Sequence, residues 1–233
     1  MVHDYHARQY TTMYESTRGL LDFMEECAGE MGERTIADVA CGGGANLVHM
    51  LERWPQCRVT GYDLDEELLD YARAHLPEEL AARCRHERMD FYDLPERVDA
   101  NTYAVTTFMQ TMMRFSADET DAVLRSLMHI SSEWLFFNAL VSDHQMDVVM
   151  DLWDYVKGAP DRICIFDADH FRERCLGLGV KEVMYKPFEI GIDLDPPPGG
   201  GAGTWTQRTD EGHRLQFSGA VPLPWHFCAL RLS

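Results

Sequence analysis

Positive charge is what the 233-residue sequence has least of: 21 lysines and arginines stand against 39 aspartates and glutamates, a formal charge of −18. A phosphate backbone would be repelled unless the basic residues gathered into one patch, and the arginines lie scattered among carboxylates. Nucleic acid is therefore not an expected partner; acidic tRNA-modifying enzymes that dock on a second subunit are the one route left open. The seven cysteines include no CxxC pair, so there is no zinc-ligand spacing and no small disulfide scaffold. Reduced thiols and no metal are expected. Met1-Val2-His3-Asp4-Tyr5-His6 has no apolar core behind a positive start, and no later run reaches the length of a membrane span. The expectation is a cytoplasmic protein with no membrane partner. No internal repeat is visible, and the length suits one large domain over residues 1–233 with an elaborated C-terminal part.

What is present is a regular alternation. Leu20, Leu21, Phe23, Met24 and Cys27 recur at helical spacing in residues 20–31. Strands are predicted at 35–40, 57–62, 84–89, 102–108 and 134–141, with helices at 46–54, 66–75 and 118–130 between them. This cadence implies parallel pairing with right-handed crossovers. Further helices are predicted at 144–157 and 167–176, and strands at 180–190 and 225–232 bring the main sheet to seven. Between those last two strands lies a 191–224 insertion that opens on Asp195-Pro196-Pro197-Pro198-Gly199-Gly200-Gly201. That density of proline and glycine forbids regular structure. Polar–apolar alternation at 204–209 and 213–218, around Asp210-Glu211-Gly212, then reads as a hairpin.

The most informative stretch is Ile36-Ala37-Asp38-Val39-Ala40-Cys41-Gly42-Gly43-Gly44-Ala45-Asn46, an apolar run that collapses into glycines and becomes helical. A strand turning this tightly into a helix leaves backbone N–H groups facing outward, where a ligand can approach the main chain. A glycine turn alone is shared by many α/β proteins. Asp63, 19 positions after Gly44, ends the next strand and can accept from both hydroxyls of a ribose. In Met89-Asp90-Phe91-Tyr92-Asp93, Asp90 can accept from an exocyclic amine while an apolar neighbour covers its ring.

These three elements in this order resemble class I S-adenosylmethionine-dependent methyltransferases, from about Thr35 to Val141. The resemblance implies an α/β, Rossmann-like, seven-stranded, mostly parallel sheet with helices on both faces and a β-hairpin insertion before the last strand. It implies S-adenosylmethionine as cofactor, over Asp38, Ala40, Gly42 and Gly44, with Asp63 on the ribose, Leu64 against adenine, Asp90 and Phe91 at the adenine edge, and Thr107 beside the methionine part. Ala40 stands where the family has its first glycine; alanine tightens the strand end and argues against a dinucleotide pyrophosphate. Segment 1–31 would cap the cofactor through Tyr5, Tyr10 and Tyr14, and Tyr14, Gln110, Met113 and Trp153 would meet the acceptor.

The sulfonium is already activated, so the protein's task is to align a nucleophile with the S–CH₃ bond and exclude water. A hydroxyl acceptor benefits from a general base. His144, His170, His213 and His226 are candidates, His144 first. The Asn-Pro-Pro-Tyr motif of nucleobase and glutamine-amide methylation is absent after Thr106-Thr107-Phe108-Met109, which turns the expectation to a small-molecule acceptor, at oxygen first and nitrogen second. Met109, Met112, Met113, Phe108 and Phe115 read equally as pocket lining or core, and Trp153 and Tyr155 as a roof or as one packed face of a helix. Asp65, Glu66 and Glu67 read as helix-start carboxylates. A non-catalytic cofactor-binding subunit, sulfonium-dependent chemistry without methyl transfer and, third, a nicotinamide dehydrogenase remain as rivals, and a homodimer stays open.

Overall fold

The computed structural model describes residues 2–233, with side chains from Ala7 onward; the side chain of Tyr5, one of the three expected cap tyrosines, lies outside the described residues. The order of elements is α1 (Val2–Thr11), α2 (Glu15–Ala28), β1 (Thr35–Val39), α3 (Ala45–Arg53), β2 (Arg58–Asp63), α4 (Glu66–His75), β3 (Cys84–Arg88), α5 (Leu94–Arg97), β4 (Tyr103–Phe108), α6 (Ala117–Ile130), β5 (Ser131–Ser142), β6 (Val148–Asp154), β7 (Ala159–Asp167), α7 (Ala168–Gly177), β8 (Glu182–Pro187), β9 (Thr204–Arg208), β10 (Arg214–Ser218), β11 (Val221–Pro222) and β12 (Trp225–Arg231).

Seven strands run in the order β3-β2-β1-β4-β5-β12-β8. The first five are parallel, and β12 is antiparallel to both β5 and β8. This is the Rossmann-like α/β sheet expected from the alternation. Successive residues of a strand serve opposite faces. Ile36 joins α2 and α3 through Leu21, Leu47 and Leu51, whereas Ala37 joins α6 and α7 through Leu124, Leu127 and Phe171. Helices therefore cover both faces. Their starts are set locally: Asp65 accepts from the N–H groups of Glu67 and Leu68 at the head of α4, and Glu119 takes the Ser116 amide at 2.8 Å at the head of α6.

One expectation is overturned. Residues 144–157 are not a helix: they contain β6, antiparallel to β7, a strand the sequence reading leaves out. Met146, Val149, Met150 and Trp153 satisfy helical spacing, but Val148, Met150 and Leu152 satisfy alternation equally well. Pairing with β7 decides between them, Asp151 lying opposite Arg162 with their side chains 2.7 Å apart. The ribbon extends the sheet because β7 pairs parallel with Leu140 to Ser142 of β5, on the side where β4 has already ended. It stands as a wall above the carboxyl ends of the strands. Facing it, β9, β10 and β11 form a separate three-stranded sheet from the expected hairpin. No helix of the described residues is long and apolar enough to cross a membrane.

Candidate functional site

Between β1 and β4 the strand order changes direction, and the carboxyl ends there flank a crevice. The chain leaves β1 through a turn in which Ala40, Gly42 and Gly44 all take positive φ, 59°, 54° and 80°. The slot Ala40 fills has the backbone of a glycine position, so alanine does more than tighten the strand end: it is held in the left-handed region at a steric cost. Gly44 is required by packing, since a Cβ there would lie 2.7 Å from that of Ala72 in α4. Gly42 instead offers its amide to Asp63 Oδ2 at 2.7 Å, and Asp63 Oδ1 accepts from the Asp65 amide at 2.9 Å. Asp63 thus ties the end of β2 to the glycine turn while each oxygen keeps acceptor capacity. Leu64 beside it is 58% exposed.

Asp38 is buried beneath the turn. It accepts from the Thr107 hydroxyl at 2.6 Å through Oδ1, and its Oδ2 has no partner among the described residues. Burial pushes the Asp38 carboxyl up to about 7, against the Thr107 hydrogen bond and assisted by the charge of Asp63. Thr107 is itself fully buried and bonded inward. Asp90 accepts from the Tyr92 amide at 3.0 Å through Oδ1, which starts a short turn over 91–93 and leaves Oδ2. Phe91 is half-buried, edge-on to Phe108 at 5.7 Å and to Phe115 at 5.5 Å.

The N-terminal segment closes one side. Tyr10 donates to the Gly43 carbonyl at 2.6 Å, its ring beside those of Tyr71 and His75, and burial raises its hydroxyl far above the usual phenol range. Between this segment and the glycine turn lies a cavity of about 120 Å³ lined by Gln9, Ser16, Thr17, Asn46 and Gln110 together with the turn. The Thr17 hydroxyl donates to Asn46 at 2.8 Å. Gln110, with φ 56°, is held by the buried amide oxygen of Asn138 on β5. Tyr14 is half-buried ahead of α2 and does not line this cavity.

A second, larger groove of about 620 Å³ lies over β5 and β12, between the β6–β7 ribbon and the hairpin sheet. β5 is two strands from β1, about 10 Å away at ordinary strand spacing. His144 and His226 both line this groove, and His144 is exposed. Met113 is buried with Leu140, Ile163, Leu223 and Trp225 behind its wall. Trp153 corrects another expectation: with no helix at 144–157 it sits on the outer face of β6, 55% exposed, and lines neither cavity.

Sequence reasoning names the glycine turn, Met109 and Gln110 of this crevice and misses Asn138, Thr17, Asn46 and, in the larger groove, Gln216 of β10. Asn138 had a visible signal, a single amide in the apolar run Trp134 to Val141; such a group must find a partner once buried. The other three had none, because their partners lie far away in the chain.

Comparison with known proteins bears on the fold and the family. The family described as a methyltransferase domain matches residues 36–132. The chain is 37% identical over 75 residues to a trans-aconitate 2-methyltransferase of Rhodopseudomonas palustris, covering 32% of this chain and 29% of that protein. It is 28% identical over 138 residues to a ubiquinone biosynthesis O-methyltransferase of Nitrosomonas europaea, covering 57% and 54%. The match thus spans less than a third of the first relative and about half of the second. In three dimensions, the 1,6-didemethyltoxoflavin-N1-methyltransferase of Burkholderia thailandensis, solved with its substrate and S-adenosylhomocysteine, superposes with a TM-score of 0.62 at 13% identity, over 99% of this chain and 83% of that one. Residues 36–132, which hold the glycine turn and the acidic β2 terminus, thus match the methyltransferase-domain family, and the fold is the one seen in S-adenosylmethionine-dependent methyltransferases.

Proposed function

We propose that this chain transfers a methyl group from S-adenosylmethionine to a small-molecule acceptor, at oxygen in the first instance and at nitrogen in the second. The observation that carries the reading is Asp63, at the carboxyl end of β2 beside the glycine turn, with one oxygen on the Gly42 amide and the other on the Asp65 amide. Its remaining lone pairs suit the two hydroxyls of a ribose. Exposed Leu64 offers an apolar face for adenine, and Asp90 Oδ2 an acceptor for its amine. Asp38, Ala40, Gly42, Gly44 and Thr107 would form the floor. The cavity beside the glycine turn suits the amino-acid end of the molecule, where the Asn46 amide can donate.

The bound cofactor supplies a methyl group on a positively charged sulfur, ready to be displaced. What remains for the chain is to seat an acceptor, exclude water and receive a proton. The neighbouring groove can do the first two, with Met113 behind its wall, and His144 or His226 can accept the proton of a hydroxyl acceptor. Residues 1–31 act as a cap and 191–224 as a substrate-shaping insertion of a single cytoplasmic domain. Tyr14 and Gln110 complete the acceptor side.

Calorimetry of the chain with S-adenosylmethionine, S-adenosylhomocysteine and NAD tests the cofactor. Both sulfur compounds should bind, and tight binding of NAD alone overturns the reading. Incubation of a metabolite extract with labelled donor should then yield a methylated product; its absence points to a binding subunit of the same fold.

A further inference from the structure

The groove over β5 and β12 contains an unsatisfied group that the reading above does not use. Gln216 of β10 lines it and is 6% exposed. Its Nε2 donates to the Phe188 carbonyl at 2.7 Å. A carbonyl can only accept, so the orientation of the amide is settled, and Oε1 is turned away with no partner among the described residues. A buried amide oxygen in that state is destabilising until a donor reaches it.

The rest of the groove indicates what kind of molecule would bring that donor. Its walls are mainly apolar, with Met146, Val148, Ile165, Leu223 and Trp225 among them. Arg214 is the one arginine or lysine lining it, and its guanidinium is engaged by Asp193 at 2.8 Å. Glu189 adds a carboxylate at the rim, in a chain whose net charge is −18. A polycarboxylate would meet repulsion and no unengaged fixed cation. We propose that this groove binds a neutral, largely apolar acceptor carrying a hydroxyl or amine donor, and that Gln216 Oε1 receives that donor. The inference rests on the methyl-transfer reading for its biological sense, but not for its geometry. Oε1 is closed to solvent in this conformation, so admission of the donor requires β10 to shift.

The test uses the whole chain and binding alone, by calorimetry with 2-naphthol, 2-methoxynaphthalene, 2-naphthoate and trans-aconitate. 2-Naphthol should bind roughly tenfold more tightly than its methyl ether, the scale of one added hydrogen bond, and both anions more weakly than 2-naphthol. In Gln216→Met, which keeps the volume, the preference for the hydroxyl should collapse while affinity for the ether holds. Equal affinity of 2-naphthol and 2-methoxynaphthalene for the unaltered chain overturns the proposal without any variant. So does a preference that survives Gln216→Met, or tighter binding of trans-aconitate. Because no cofactor is present, a hydroxyl preference in a chain that binds no S-adenosylmethionine removes the methyl-transfer reading and leaves the groove assignment standing. The reverse result removes the groove assignment alone.

Discussion

Asp63 and Asp65 stand two residues apart at the head of α4, yet they act on different things. Asp65 caps the helix through the amides of Glu67 and Leu68, while Asp63 reaches back to the glycine turn. Asp63→Ala should weaken S-adenosylmethionine binding by about 1.5 to 3 kcal/mol, the value of a charged acceptor. Asp65→Ala should cost about 0.5 to 2 kcal/mol of stability as a lost cap and leave the affinity nearly unchanged. Calorimetry and urea unfolding on both variants separate the roles, and equal affinity losses would show that the ribose is wrongly placed. Asp38 makes a different prediction. Its folded-state value of about 7 exceeds the ordinary 3.8, so between those pH values the folded chain holds a proton that the unfolded chain has released. The stability from that protonated form is full below about pH 4 and is lost as pH rises through 7, at no more than about 1.4 kcal/mol per unit. Asp38→Asn cannot ionise and still accepts from Thr107, so its urea-unfolding stability relative to the parent should rise from pH 4.5 to 7.5. Comparing variant with parent cancels the carboxylates that titrate in both. A gap that does not change with pH would show that Asp38 is ionised throughout. The glycine turn, Asp63 and Asp90 were legible because a tight turn and a strand-end acid are local facts. The Asp38–Thr107 bond was not, since it joins residues 69 positions apart.

At the scale of elements, one buried side chain links the β6–β7 ribbon to the insertion by hydrogen bonds, beside the apolar packing of Ile163 and Leu152 with Leu223 and Val221. Buried Asp154 accepts from the amides of Val156 and Lys157 in its own turn and from Ala202 at 2.9 Å in the insertion. The backbone donors, Ala202 first, hold its carboxyl below the usual range. Asp154→Ala removes all three acceptor contacts together. Hydrogen exchange at Val156, Lys157 and Ala202 should accelerate several-fold while the β1 and β4 amides keep their protection. Unchanged exchange at Ala202 would show that the insertion is held elsewhere. Elements with a single period were readable from the sequence, among them α2, α6 and the five parallel strands. β6 carried two periods at once, and only its partner strand resolved them.

For the whole molecule the dominant quantity is the charge of −18. Self-repulsion destabilises a compact state and is screened by salt. The thermal midpoint should therefore rise between about 10 mM and 0.2 M sodium chloride, as the screening length falls from about 30 Å to under 10 Å; a midpoint that falls would show that surface ion pairs outweigh the excess charge. By itself the sequence determined the α/β alternation, the glycine turn, the acid that follows it and the hairpin before the last strand. Each of these is written in spacing or backbone preference within a few neighbouring residues. Only the tertiary structure decided that residues 148–154 are a wall and not a helix, that Trp153 faces outward, and that the buried amide oxygen of Gln216 is left without a partner among the described residues. Those depend on which distant segment packs alongside, and for a side chain with two acceptable local solutions the partner makes the choice.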